Sequence, residues 1–190
     1  MSEAVDNYEM VSIYNLSDER REALLREHAE CTFTWTTQDG WPVGVIMSYL
    51  WHEDRFWLTT GGQRHRIAAT RRDPRVCITI TSTGTSLGPG KSVTAKGHCT
   101  IHEDAATKAW FYPAFSAHLH KDPKMANWFQ TFLDSPLRVV LEVEVEKWIT
   151  YDGDKMARDS VGKLGEDEKG PPLSSDTVRL EKELERVKGE

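Results

Sequence analysis

The sequence predicts a mainly β (α+β) chain: a small six-stranded antiparallel barrel with helices at its edges. Three observations carry this reading. Polar and apolar residues alternate in "CTFTWTT" (31–37) and in "RVVLEVEVEKWITY" (138–151), the two-residue period of strands with one wet face. The β-branched runs are parted by short turn signals rather than helical crossovers, which favours antiparallel neighbours over a doubly wound sheet. Helical patterning is confined to the start, the middle and the end of the chain.

The elements follow in order. "LSDERREALLREHAE" reads as a short helix, with Ser17 as its cap and Asp18 and Glu19 suited to the positive N-terminal dipole. "CTFTWTT" is the first strand, and "QDGWP" a turn with Asp39-Gly40 at its tip. "VGVIMSYLW" is apolar on both alternating sets, so this strand is expected to be covered on both faces. "HED" turns the chain into "RFWLTT", and "RVCITITS" is a further strand. "KSVTAKGHCTIHE" is a long strand whose Gly97 predicts a bulge or a close backbone approach. "DAATKAWFYPAFSAHL" and "KMANWFQTFL" read as two short helices broken near Pro113 and Pro123. In "RVVLEVEVEKWITY", Val139, Leu141, Val143 and Val145 face the core and Glu142, Glu144 and Glu146 face water. A barrel domain over 1–155 and a polar extension over 156–190 result, the latter partly flexible at "GEDEKGPPLSS" and ending in a possible helix, "DTVRLEKELERVKGE".

At 190 residues, 38% hydrophobic and 28% charged, the chain fits one globular domain with a full core. No apolar run approaches the roughly 20 residues of a membrane helix. The opening "MSEAVDNYEM" has no basic, apolar signal region, and Cys31, Cys77 and Cys99 form no C-x-x-C pair. Reduced thiols and a cytoplasmic location are expected, with neither a nucleic acid nor a membrane as partner, since the net charge is −6.

Against that acidity stands "TTGGQRHRIAATRRDPRV" (59–76), with five arginines and a single acid, Asp73. A strand ends in hydroxyls, Gly61 and Gly62 let the chain turn with free amides, and Arg64 to Arg66 open a helix. Hydroxyls, amides, a helix N-terminus and guanidinium forks suit a phosphate monoester. Arg71, Arg72 and Arg75 fall beyond that site. By contrast "GTSLGPGKS" (84–92) only imitates a nucleotide phosphate loop: five residues separate Gly84 from its Gly-Lys-Ser, Pro89 removes an amide, and a strand follows. It reads as a hairpin loop. The histidines, among them His98, His102, His118 and His120, show no zinc spacing, and no metal site is assigned.

From Asp39 to Asp104 the ordered set of an Asp-Gly-x-Pro turn, a strand ending in Thr, a basic residue, a short helix, Asp-Pro-x-Val, and a strand with an internal Gly resembles the pyridoxamine-5'-phosphate-oxidase-like split barrels, also called flavin/deazaflavin oxidoreductases. The resemblance covers roughly residues 15–155. It implies an FMN-binding split barrel, a homodimer with a flavin at each subunit boundary, and a flavin-dependent oxidoreductase acting on an unidentified small molecule. Arg66 matches the family's phosphate-binding Lys/Arg, seven residues before Asp73. Thr59, Thr60, Gln63 and Arg64 are implied helpers, and Met47 and Ser48 fall where backbone runs along the flavin ring. The cofactor that the resemblance implies is FMN, with the deazaflavin coenzyme F420 as alternative and haem behind both. Arg55, Lys91 and Lys96 are candidates for a groove that would take an acidic deazaflavin tail. The tail of this chain lacks the family's Arg-rich substrate motif, which argues against vitamin B6 oxidation, and no catalytic acid or base is assigned. A non-catalytic flavin or haem carrier or sensor is the other reading.

Overall fold

Seven strands form one sheet in the order β2-β1-β5-β6-β7-β4-β3, in a computed structural model that describes residues 10–189. The acidic start read above, residues 1–9, lies outside the described residues. The strands are β1 (Glu30–Thr36), β2 (Pro42–Ser48), β3 (Leu50–His52), β4 (Arg55–Gly61), β5 (Arg75–Thr81), β6 (Lys91–His102) and β7 (Arg138–Asp152). The pairings β1–β2, β1–β5, β3–β4 and β4–β7 are all antiparallel.

The seventh strand comes from a break inside "VGVIMSYLW". Tyr49 leaves the ladder: its N–H donates to the Ala29 carbonyl at 3.0 Å, and its hydroxyl donates to the Leu25 carbonyl at 2.9 Å. The residues before it pair with β1 at one end of the strand order, and those after it pair with β4 at the other. One stretch of chain thus serves both edges, and the sheet curls into the half-barrel of a split barrel.

Helices α1 (Asp18–Glu27), α2 (His65–Arg72), α3 (Ala105–Leu119), α4 (Pro123–Leu133), α5 (Gly153–Asp159) and α6 (Ser174–Lys188) complete the chain. Ser17 caps the first as expected, its hydroxyl accepting the Arg20 N–H at 3.3 Å. The break expected at Pro113 does not occur, and α3 runs through it. Phe111, Tyr112, Phe115 and Ser116 are buried on either side of the proline, and this packing outweighs one lost backbone bond. Pro123 instead starts α4, behind an Asp122 side chain that accepts the Lys124 N–H at 3.0 Å.

The chain divides into two compact units. The larger, Glu22–Ile80 with Thr94–Trp148, holds the barrel core: Phe33, Phe56, Leu58, Ile67, Ile78, Leu141 and Val143 are all fully buried. A second apolar cluster of this unit joins Trp57 and Val140, on the outer face of β4 and β7, to Phe111, Tyr112, Phe115 and Leu133 of the α3–α4 pair. Gly97 makes the close approach read from the sequence, because a Cβ there would collide with the Glu144 backbone.

The smaller unit takes in the described residues up to Arg21, Thr81–Val93, and the chain from Ile149. Ile13, Tyr14 and Leu164 form its core, with Tyr151 and Met156 against them. Asp152, fully buried, pairs with Arg20. The near-miss phosphate loop lies here as a plain connection between β5 and β6. Its Lys91 is buried, with Nζ 2.8 Å from Asp154 and 3.1 Å from the Pro89 carbonyl. No helix among the described residues is long and apolar enough to cross a membrane.

Candidate functional site

The five arginines of the basic segment 59–76 divide into two groups. Arg71 pairs with Glu103, Arg72 donates to the Thr36 carbonyl at 2.7 Å, and Arg75 pairs with Asp73 at 2.7 Å. The Arg75 hydrogen bonds hold the Asp73 carboxyl down at about 2. These three are committed to the protein's own oxygens.

Arg64 and Arg66 are not. Both line a cavity of about 290 Å³ in the larger unit, together with Met47 and Ser48 of β2, Thr59, Thr60 and Gly61 of β4, and Arg138 at the start of β7. Phe115, Phe129, Leu133 and Ile46 supply an apolar wall. No carboxylate among the described residues pairs with Arg64, Arg66 or Arg138. The Arg66 Nε is buried without a hydrogen-bond partner, and its guanidinium carbon lies 6.0 Å from the Trp35 ring centre. Burial first, and the Arg64 charge second, lower the Arg66 pKa from its ordinary value. The site carries uncompensated positive charge beside apolar side chains, which is chemistry for an anion attached to an organic group.

Six of the seven residues named from sequence therefore meet at one cavity; Gln63 does not line it, and its amide lies against Gly61. Two details correct the picture drawn from sequence. The Gly62 N–H is not free, because it donates to the Leu137 carbonyl at 2.7 Å. The Thr59 hydroxyl donates to the Val139 carbonyl at 2.9 Å, so toward a ligand it can only accept. Of the candidates for a deazaflavin tail, Lys91 and Arg55 are already engaged in ion pairs. Lys91 is buried on Asp154, and Arg55 is held by Glu142 at 2.8 Å and Glu144 at 3.6 Å.

Sequence reading missed Arg138 and the aromatic wall. Arg138 follows a loop far along the chain and reaches the basic turn only through the β4–β7 ladder, where it opposes Gly61. Phe129 and Leu133, four residues apart on α4, carried a helical-face signal but nothing to say what they face.

No cysteine offers a nucleophile: burial pushes both Cys31 and Cys99 up to about 12 and raises Cys77 as well. His98 and His102 lie 3.8 Å from Glu146 and 2.7 Å from Glu142, and no group of three or more metal-ligating side chains converges among the described residues.

The fold and this cavity define a split-barrel protein with an anion-ready pocket. Residues 16–152 match the family model described as pyridoxamine 5'-phosphate oxidase, and the chain belongs to that family. Among solved structures it is similar to a conserved hypothetical protein of Mycobacterium tuberculosis, at 17% identity over 77% of this chain and 91% of that one, with a TM-score of 0.66. An FAD-binding protein of Mesorhizobium loti matches at 20% identity over 72% and 93%, with a TM-score of 0.54. An F420 reductase matches at 16% identity over 67% and 94%, with a TM-score of 0.51. At these identities the likeness establishes the fold. No curated protein matches the chain.

Proposed function

We propose that the arginine cavity holds the phosphate of a flavin-type cofactor, FMN or the deazaflavin F420, and that the chain is an oxidoreductase acting through it on a small molecule. The observation that carries this is the meeting of Arg64, Arg66 and Arg138 at one cavity with no carboxylate partner among the described residues. Membership of the family supports a flavin-type cofactor, and the FAD-binding protein and the F420 reductase among the structural relatives agree with it.

The bound cofactor would supply hydride transfer, and the protein's part is to bind, orient and exclude water. Arg66 and Arg64 bind the phosphate through the guanidinium groups that line the cavity. Phe129, half-buried on α4, is the aromatic side chain open to a ring system, and backbone at Met47 and Ser48 borders it. The lining holds no carboxylate, histidine, tyrosine or cysteine, so no catalytic acid or base is assigned.

That same lack supports the second reading, a non-catalytic flavin carrier or sensor. A haem in this cavity would want an axial histidine or thiolate, which the lining does not provide. A second copy of the chain is placed across β2, where Ile46 is 65% exposed although it borders the cavity, so a partner subunit would complete the wall.

The test is the absorbance and mass spectrum of whatever small molecule leaves the purified protein, followed by titration with FMN and with F420. Binding of either supports the assignment. A colourless protein with affinity for neither overturns it, and binding without turnover of a nicotinamide or deazaflavin reductant selects the carrier.

A further inference from the structure

The larger unit contains a second cleft that shares no lining residue with the arginine cavity. His52 of β3, Glu53 in the β3–β4 turn, Arg55 and Trp57 of β4, Trp110 of α3 and Glu142 of β7 enclose about 490 Å³. Its walls are aromatic. The Trp57 and Trp110 rings meet at 4.7 Å and 86°, forming a right-angled corner, and His52 lies 5.1 Å from Trp110. Trp57 is mostly buried packing, whereas Trp110 is half-buried and His52 exposed, so these two offer most of the open ring surface.

The polar lining is acidic. Glu53 and Glu142 face one cation, Arg55, and that guanidinium is already held by Glu142 at 2.8 Å and by Glu144 at 3.6 Å. His102 fixes the Glu142 carboxylate from behind, with Nε2 2.7 Å from Oε2. The rim is built at a conformational cost. Glu53 and Asp54 occupy the left-handed region at φ 49° and 57°, in a two-residue hairpin turn where Asn-Gly is the unstrained choice. Glu53 thus holds its carboxylate at the mouth of the cleft against local backbone preference. His52 is pinned by its own carbonyl, which accepts the Trp57 Nε1–H at 3.2 Å.

From this arrangement we infer that the cleft is a binding site for an organic cation of the alkylammonium class. The electron-rich ring faces take the apolar, positively charged skin of such a cation, and Glu53, the lining carboxylate that no guanidinium holds, supplies counter-charge. An anion would meet Glu53 and Glu142. A small inorganic cation keeps its water more readily than it exchanges it for indole. The cation site stands independently of the cofactor assignment, because no residue is common to the two cavities.

The experiment is calorimetric titration of tetramethylammonium chloride into the full chain at low ionic strength, with sodium chloride as control. A single weak site is expected for tetramethylammonium and none for sodium. Trp110→Leu should weaken it by about tenfold or more, and Glu53→Gln by roughly threefold, whereas Arg66→Ala should leave it unchanged. Equal heats for the two salts, or an unaltered affinity in Trp110→Leu, overturns the assignment. Should Trp110→Leu fail to fold, Glu53→Gln on its exposed turn decides: an affinity equal to wild type overturns the site.

Discussion

Arg138 stands directly opposite Gly61 across the β4–β7 ladder, and the carbonyl of its neighbour Leu137 accepts the Gly62 N–H at 2.7 Å. The basic turn and the start of β7 are therefore one corner, joined by backbone rather than by flexible side chains. Opposite a residue without a side chain, Arg138 can lie over the corner toward the cavity, with its guanidinium carbon 5.9 Å from the Phe132 ring centre. Arg138→Ala should weaken FMN (or F420) binding by about tenfold while the melting transition stays in place. Unchanged affinity would remove Arg138 from the site.

Arg66 should matter more. It lines the cavity and pairs with no carboxylate among the described residues, so a phosphate gains a charge-assisted bond that nothing in the chain now makes. Such a bond is worth about 1.5–3 kcal/mol, and Arg66→Ala should weaken cofactor binding by roughly ten- to a hundredfold. Arg71→Ala is the matched control on the same helix, because Arg71 pairs with Glu103 instead. Fluorescence titration of both variants at fixed salt separates the cases. A larger loss in Arg71→Ala would move the site along α2.

The strands were legible because each advertises its faces locally: Leu141 and Val143 are buried while Glu144 and Glu146 are exposed, as their alternation requires. The basic turn was legible because its chemistry is contiguous in sequence. Three things were not. The β2–β3 break depends on the Tyr49 hydroxyl finding the Leu25 carbonyl, 24 residues away. Helix α3 survives Pro113 because both flanks are buried by a fold not yet known at that point of the chain. The aromatic wall and Arg138 belong to segments that only the tertiary fold carries to the turn. Local pattern gave the Arg64–Arg66 end of the cavity and left out the other.

The strand "VGVIMSYLW" was expected to be covered on both faces, yet Ile46 is 65% exposed and Trp41, just before it, 69%. Apolar residues so placed on a strand at the end of the sheet order suit a second subunit. The protein should sediment as a dimer at micromolar concentration, and Ile46→Glu should shift it toward monomer. A wild-type monomer in the presence of cofactor would rule out this interface.

His118 should make stability depend on pH. Its Nε2 is buried with no partner, and burial lowers its pKa below the ordinary 6.5, an effect that the His28 backbone opposes. Because the folded-state value is the lower one, the unfolded chain binds the proton first. Stability is complete above about pH 6.5 and declines as pH falls through the folded-state pKa. The wild type should lose more of its melting temperature between about pH 7.5 and pH 5.5 than His118→Gln does. Equal losses would show that the ring protonates without penalty.

The C-terminal extension should prove to be two different things, divided near Leu173. Residues up to Gly170 are tied to the smaller unit: Leu164 is 9% exposed, the Gly170 N–H donates to the Ile13 carbonyl at 2.7 Å, and Lys155 Nζ donates to the Glu168 carbonyl at 2.7 Å. Lys169 reaches Asp159 at 3.1 Å, and Asp159 in turn accepts the Tyr14 hydroxyl at 2.8 Å. In α6 the pairs Arg179–Asp176 and Arg186–Glu183 lie within the helix, and Val178 and Val187 are exposed. A chain ending at Leu173 should therefore melt within a few degrees of the full protein. One ending at Gly162 uncovers Leu164's share of the core and unties Ile13. Losing a buried Leu costs about 2–3 kcal/mol, which for a chain of this size lowers the melting temperature by roughly 5–10 °C. The two truncations should be compared by calorimetry in the same buffer. Equal midpoints would mean that 163–170 rests on the unit without stabilising it, and a collapse of the Leu173 variant would make α6 part of the fold.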